Sequence, residues 1–198
     1  MIYDSQALKV KYANYSNINQ KISLEEKRGN IIRIKRGLYT DNLLTDAPII
    51  SNVCYGPSYL SFEYALSYYG LIPEYVSSFT SATFSKKNNK TYLVSNLCFQ
   101  YYSIPDEVFS KGITFLVNEE GIRYKIATKE KAICDLLYLK YPVRSIKDLK
   151  VMLFDDLRID YFEFIKLDFK FIKSIAFMYH SNTLYTLVKY IEEELESD

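Results

Sequence analysis

The chain has 198 residues, of which 48% are hydrophobic and 25% are charged. This is the composition of an ordinary globular protein, so it argues against a disordered, collagen-like or rod-shaped chain. No apolar stretch approaches the roughly 18 residues of a membrane span, and residues 1–10 contain no hydrophobic signal core. We therefore expect a soluble cytoplasmic protein with one compact domain or a larger domain carrying a small appendage.

The net charge of +1 conceals an asymmetry along the chain. Residues 1–40, which we call the head, contain eight basic and three acidic side chains, a net charge of +5. The other 158 residues sum to −4. A basic segment joined to a mildly acidic body is typical of a nucleic-acid-binding module attached to a second unit.

The head is predicted to contain two helices and a β-hairpin. Helical spacing predicts a helix over residues 5–12, and Ser16 is positioned to cap a second helix that starts at Asn17 and ends at Gly29. Two apolar runs, 31–35 and 38–40, flank an Arg-Gly turn and predict a hairpin. This order predicts a winged helix-turn-helix domain over residues 1–44.

A polar, proline-containing link at residues 45–48 is predicted to separate the head from a body over residues 45–198. The body should begin with a strand at 56–60 and a helix at 62–69 capped by Ser61. Alternating segments at 75–84 and 91–102 predict two strands with a hairpin tip at 86–90, and residues 113–117 and 121–126 predict another pair. Thr128 should cap a helix over 129–140, and only helical periodicity follows residue 160. The predicted fold class is α+β with a helical last third.

Four segments occur in an order and spacing that resemble one known family. They read Ile-Ile-Arg-Ile-Lys-Arg-Gly-Leu-Tyr at 31–39, Ser-Tyr-Leu-Ser-Phe-Glu-Tyr-Ala-Leu at 58–66 with Gly-Leu-Ile-Pro at 70–73, Ala-Thr-Lys-Glu-Lys-Ala at 127–132 with Asp-Leu-Leu at 135–137, and Asp-Leu-Arg-Ile-Asp at 156–160. Over nearly the whole chain they resemble the AbiEi family of antitoxins and transcriptional regulators from bacterial AbiE (type IV) toxin–antitoxin operons. The second head helix departs from the family in having Leu24-Glu25 where a polar-then-apolar pair is expected.

The resemblance implies a repressor of its own operon that also neutralises a nucleotidyltransferase toxin, without requiring a stable complex. In that family the winged-helix end binds operator DNA, and the larger C-terminal domain is associated with antitoxicity. The expected partners are therefore double-stranded operator DNA and the cognate toxin. Because one winged helix has a small footprint, we expect two copies, as a homodimer, on an inverted repeat.

The head carries side chains suited to DNA on its second helix and on its hairpin. If Ile18 and Ile22 face the core, the opposite face offers amides that can pair with adenine, together with hydroxyl and ammonium groups that hold phosphates. The candidate DNA-binding residues are Asn17, Asn19, Gln20, Lys21, Ser23, Lys27, Arg33, Lys35 and Arg36. The alternative interpretation is a small basic domain whose lysines are simply solvated.

Enzyme classes find little support in the sequence. The single histidine, His180, is expected to be structural, and no glycine-rich phosphate loop is present. Cys54, Cys98 and Cys134 are too scattered for a disulfide framework or a metal knuckle and are expected to be reduced core thiols. No cofactor or metal is expected, and we predict that the chain is not an enzyme.

The best enzymatic alternative is a metal-dependent nuclease. Asp168 and Lys170 form a D-x-K pair, for which Asp155 or Asp156 would supply a second carboxylate. Asp168 is equally well placed to cap a helix.

Two non-enzymatic functions are alternatives to the antitoxin function. One is a transcriptional regulator that has no toxin partner. The second is a pure interaction protein, because the tyrosines at 55, 59, 64, 68 and 69 either pack against the sheet or line a groove for a partner.

Overall fold

The computed structural model describes residues 1–196, in which two β-sheets and ten α-helices form a mixed α+β structure. The predicted α+β class is confirmed at this level. The strands are β1 (Ile2–Asp4), β2 (Ile32–Lys35), β3 (Leu38–Thr40), β4 (Ser58–Leu60), β5 (Ser78–Thr83), β6 (Lys90–Val94), β7 (Leu97–Ser103), β8 (Ile113–Val117) and β9 (Arg123–Ala127).

The helices alternate with the strands at first and then dominate the last third of the chain. They are α1 (Ser5–Lys11), α2 (Ile18–Lys27), α3 (Leu43–Val53), α4 (Phe62–Tyr68), α5 (Asp106–Phe109), α6 (Lys129–Leu139), α7 (Ile146–Lys150), α8 (Tyr161–Phe164), α9 (Phe169–Ala176) and α10 (Asn182–Tyr190). Turns of π-helix extend α7 over Val151–Asp156 and α10 over Ile191–Leu195, and a 3₁₀ turn, Phe177–Tyr179, follows α9. The predicted acidic helical end continues to Leu195, and its residues 197–198 lie outside the described residues.

The head folds as two helices against a three-stranded antiparallel sheet in the order β1-β3-β2. Both predicted helices and the hairpin are present, and Gly29 has the expected positive φ of +76° after α2. Two details differ from the prediction. Asn17, and not Ser16, caps α2, and β1 is an additional strand, because three residues are too few to show a period in the sequence.

The body is built on a six-stranded mixed sheet in the order β6-β7-β5-β4-β9-β8. The predicted pairing of β8 with β9 is correct, but the predicted hairpin at 86–90 is wrong. Residues 95–96 form the tight turn, and they join β6 to β7 as an antiparallel hairpin. Strand β7 then pairs in parallel with β5, so residues 84–89 form a crossover loop instead of a hairpin tip, and Lys90 already belongs to β6.

The predicted link at 45–48 is also wrong, because these residues lie inside helix α3. Asn42 caps this helix by accepting a hydrogen bond from the Thr45 amide at 3.2 Å. Apolar residues of α3, including Ile50, are buried together with Ile34 of the head and Phe99 of β7. A helix therefore joins the head to the body sheet where the sequence predicts an irregular linker.

The centre of the body contains a fully buried ionic cluster. Lys131 and Asp135 stand one turn apart on α6, with 2.5 Å between Nζ and Oδ1. The Tyr179 hydroxyl accepts a hydrogen bond from Lys131 Nζ at 2.6 Å and donates one to Asp135 Oδ1 at 2.6 Å. Tyr59 and Ser61 donate to Asp135 Oδ2 at 2.9 and 2.7 Å. Strand β4, helix α6 and the turn after α9 are thereby joined through one carboxylate.

Two sequence predictions about caps have opposite outcomes. Thr128 accepts a hydrogen bond from the Lys131 amide and caps α6, as predicted. Ser61 precedes α4, but its hydroxyl is directed to Asp135, so it makes no side-chain cap.

In the ionic cluster, burial raises the pKa of the Tyr59 and Tyr179 hydroxyls well above the ordinary value, which keeps both groups protonated as donors.

Candidate nucleic-acid interface

Helix α2 presents a polar face because its apolar side chains are used on the other side. Ile18 and Ile22 pack against the small head core around Leu8. Asn17 anchors the first turn, where its Oδ1 accepts a hydrogen bond from the Gln20 amide at 3.0 Å. This local arrangement leaves the opposite face of α2 open to solvent, in agreement with the sequence pattern.

A shallow groove of about 490 Å³ follows this open face of α2. Five of the nine predicted DNA-binding residues line the groove, together with four other residues. Its lining consists of Tyr15, Ser16, Asn17, Gln20, Lys21, Ser23, Leu24, Lys27 and Arg28. Asn19 is exposed but lies outside the groove. Amide, hydroxyl and cationic groups thus converge on one surface, which is the chemistry that base edges and phosphates require.

Glu25 is buried on α2 and pairs with two of the cations that line the groove. Its carboxylate accepts hydrogen bonds from Lys21 at 2.8 Å and from Asn30 at 2.7 Å, and Arg28 lies 3.4 Å away. These contacts, led by the Lys21 hydrogen bond, lower the pKa of Glu25, and the same hydrogen bond raises the pKa of Lys21. Lys21 also stands 4.5 Å from the Tyr15 ring centroid. Two of the head cations are therefore partly neutralised within the head.

We expect Glu25→Gln to lower the melting temperature by a few degrees at pH 7, because it weakens the contacts that fix the end of α2. A lowered pKa means that the Glu25 contribution is complete above the ordinary value of about 4.5 and is lost as the pH falls through the folded-state pKa. Thermal melts from pH 7 to pH 3 should therefore show the variant converging on the wild type. Glu26→Gln, which affects only an exposed contact with Arg33, is the matched control. A pH-independent difference would contradict the assignment.

The hairpin holds three predicted DNA-binding residues in three different environments. Arg33 forms a 2.8 Å ion pair with Glu26 of α2 and lies 5.5 Å from the Tyr39 ring centroid. Lys35 is half-buried and donates to the Cys54 carbonyl at 2.5 Å. Arg36 is exposed at the turn. The hydrogen bond of Lys35 therefore links the hairpin to the end of α3. A contact between Lys35 and DNA stays a prediction.

Three exposed head cations form neither an ion pair nor a side-chain hydrogen bond within residues 1–196: Lys9, Lys27 and Arg36. Two of them, Lys27 and Arg36, belong to the predicted set. Unpaired surface cations are available to phosphates at no cost of breaking an existing contact. They are therefore the strongest electrostatic candidates on the head.

Two features of this surface were missed by sequence reasoning. Leu24 is 41% exposed in the groove, while Glu25 is buried, so the unusual Leu24-Glu25 pair turns an apolar group outward, where it is available to a thymine methyl group. The β5–β6 loop also contacts the segment that follows α3, because Lys86 Nζ lies 5.2 Å from the ring centroid of Tyr55, the residue after Cys54. The basic run at 86–90 is visible in the sequence, but its contact with Tyr55, next to the Cys54 carbonyl that Lys35 binds, depends on the nonlocal sheet order.

The residues considered for enzyme chemistry have structural surroundings. Asp168 caps α9 by accepting from the Phe171 amide at 3.0 Å, and Asp156 accepts from the Tyr141 hydroxyl at 2.9 Å. Lys170 is exposed. His180 is exposed at a turn with a φ of +50°, so it interrupts the helical run predicted after residue 160. In the described part of the chain, no three His, Cys, Asp or Glu side chains lie close enough to hold a metal ion.

The cysteines and the tyrosine cluster belong mainly to the core. All three cysteines are free, and burial raises the pKa of the Cys54 and Cys134 thiols. Of the five clustered tyrosines, Tyr59 is fully buried and only Tyr68 is exposed by about half. The packing interpretation of this cluster is therefore the one that the contacts favour.

No known protein-family model matches the chain, and no curated protein is significantly similar to it in sequence. Across residues 1–196, the helices are all too short or too polar to cross a membrane.

Proposed function

We propose that the protein is a DNA-binding transcriptional autorepressor that also acts as the antitoxin of an AbiE-like type IV toxin–antitoxin operon. The observation that carries the DNA-binding part is the open face of α2, where five predicted contact residues, among them the unpaired Lys27, line one groove. Helix α2 buries its apolar side chains in the head core and exposes its polar side chains in the groove, so the groove offers hydrogen-bonding and cationic groups.

The dimensions and order of the head support a winged helix-turn-helix. Helix α2 has ten residues and is about 15 Å long, and an α-helix with its side chains, about 10–12 Å in diameter, fits the DNA major groove, which is about 12 Å wide. Helices α1 and α2 are followed by the β2–β3 hairpin, and β1 completes the small sheet. In this proposal α2 reads bases, Arg33 and Arg36 contact flanking phosphates, and the β5–β6 loop extends the basic surface.

The antitoxin part of the proposal is supported by the resemblance of the sequence to the AbiEi family. The proposed partner is a nucleotidyltransferase toxin, and antitoxicity is assigned to the body. The route of neutralisation is left as functional antagonism, for which a stable complex is not required.

DNA binding is tested with a labelled duplex covering the promoter of the gene that encodes this chain, and a shuffled duplex of equal length as the control. We expect preferential binding to the promoter and a slope of log affinity against log salt of about −3 to −4.5, from three to five phosphate contacts. Fluorescence anisotropy between about 50 and 200 mM salt measures both quantities. Failure to bind the promoter at the lower salt concentration would overturn the proposal.

Antitoxicity is tested by co-expressing the chain with a nucleotidyltransferase encoded next to it. Growth rescue in a host that the toxin alone arrests is the expected result. Promoter binding without rescue would leave a transcriptional regulator that has no toxin partner, which is the competing function.

A further inference from the structure

Strand β8 forms one outer edge of the body sheet and has no charged side chain. Its sequence is Ile-Thr-Phe-Leu-Val over residues 113–117, and only β9 pairs with it among the described strands. Phe115 and Val117 are 58% and 57% exposed. Edge strands of soluble proteins are usually protected by charges, proline or a bulge, and β8 has none of these. An uncharged and exposed edge of this kind is suited to pairing with another strand.

The direction of the free backbone groups in β8 follows from its pairing with β9. Just outside the two strands, the Gly112 carbonyl accepts from the Thr128 amide, and the Asn118 amide donates to the Ile122 carbonyl. Bonding alternates along an antiparallel ladder, so the even-numbered residues 112–118 bond to β9. The amides and carbonyls of Ile113, Phe115 and Val117 therefore point away from the sheet, and they have no other partner within residues 1–196.

A second copy of β8 matches this edge in one antiparallel register. If the two-fold axis passes between the two Phe115 residues, backbone hydrogen bonds join Phe115 of one copy to Phe115 of the other, and Ile113 of each copy to Val117 of the other. All three residues have outward-facing backbone groups, so every free donor on one strand meets a free acceptor on the other. The exposed Phe115 rings then face each other on the same side of the sheet.

The flanking charges complement each other in the same register. Lys111 and Glu119 lie at equal distances in sequence from Phe115, in the turns just outside the two ends of β8. Both side chains are exposed, and neither forms an ion pair within the part of the chain that the structure describes. The two-fold axis places Lys111 of each copy at the same end of the paired strands as Glu119 of the other. Two symmetric opposite-charge pairs thus close the edge.

We propose that β8 is a homodimerisation edge at which two copies of this chain form a continuous antiparallel sheet centred on Phe115. The partner is a second copy because the outward-facing backbone groups, the apolar side chains and the flanking charges of one copy each match those of the other about the same two-fold axis. This axis is perpendicular to the sheet, so both copies keep α3 and the attached head on the same side. The inference depends on the body alone and does not require that the head binds DNA.

The dimer should be weak, because a five-residue edge buries less area than the roughly 1,200–2,000 Å² of a stable interface. We expect a dissociation constant on the order of 10–100 µM. Sedimentation velocity of the full chain from about 5 to about 500 µM measures it directly. A monomer at every concentration in this range would overturn the proposal.

A charge reversal tests the register. In Lys111→Glu each of the two pairs across the interface consists of two acids, and in Glu119→Lys each consists of two bases. Each single variant should therefore raise the dissociation constant roughly tenfold. The double variant Lys111→Glu with Glu119→Lys restores both pairs and should recover wild-type association. Lys147→Glu, at an exposed position on α7, is the control for charge change alone. Equal association by all variants, or no recovery in the double variant, would contradict this interface.

Discussion

Lys131→Met is expected to lower the free energy of unfolding by about 3–5 kcal/mol, because it leaves the buried Asp135 carboxylate without its cation. The side chains of both residues are fully buried, so water cannot replace the lost contact. The remaining donors are Tyr59, Ser61 and Tyr179, which are neutral hydroxyls that cannot balance the charge. Chemical denaturation followed by circular dichroism measures the change.

Two further variants distinguish the loss of the ion pair from a general effect of substitution on α6. Lys129→Met changes a partly exposed lysine on the same helix, 3.6 Å from Glu163, and should cost less than about 1 kcal/mol. The double variant Lys131→Met with Asp135→Leu removes both charges and should recover part of the stability. If Lys131→Met were no more destabilising than Lys129→Met, the ionic cluster would not have the role assigned to it.

Neutralising Lys27 and Arg36 together should weaken binding to every duplex, specific or not. Both side chains are exposed, and neither has an acidic partner within residues 1–196. Loss of two phosphate contacts should make the salt slope shallower by about 1.8, which corresponds to roughly 60-fold weaker binding at 0.1 M salt if counterion release accounts for the whole loss. Anisotropy titrations of Lys27→Gln with Arg36→Gln provide both values.

Lys147→Gln with Lys170→Gln is the matched control, since it removes two exposed cations from the body and changes the net charge equally. It should leave affinity and slope within error of the wild type. Gln20→Ala tests base recognition instead, and it should reduce the preference for the promoter more than Asn19→Ala, because Gln20 lines the groove and Asn19 does not. If the charge variant and its control lost equal affinity, the result would contradict the proposed phosphate contacts of Lys27 and Arg36.

Elements that depend on neighbouring residues are predictable from the sequence. Thr128 and Asp168 are both placed to cap helices, and both accept the expected backbone hydrogen bond. The β2–β3 hairpin is predictable because two short apolar runs flank an Arg-Gly turn. For the same reason, the face of α2 that carries Gln20 and Lys27 follows from the spacing of its isoleucines.

Features that depend on distant residues are not predictable in this way. The parallel pairing of β5 with β7 has no local signature, so the polar run at 86–90 has the pattern of a turn without forming one. Helix α3 contains Pro48, which gives it the pattern of a linker, although Asn42 supplies a capping signal. The buried roles of Glu25 and Asp135 depend on partners brought in by folding, and charge in a sequence normally indicates exposure.

The position of Tyr179 constrains how the chain is made. Its hydroxyl completes the contacts of Lys131 and Asp135, so the body cannot finish its core until the segment that follows α9 has left the ribosome. A premature stop codon just after Tyr179 would remove α10, including the buried Leu184 and Leu187. We expect such a product to be degraded by cellular proteases.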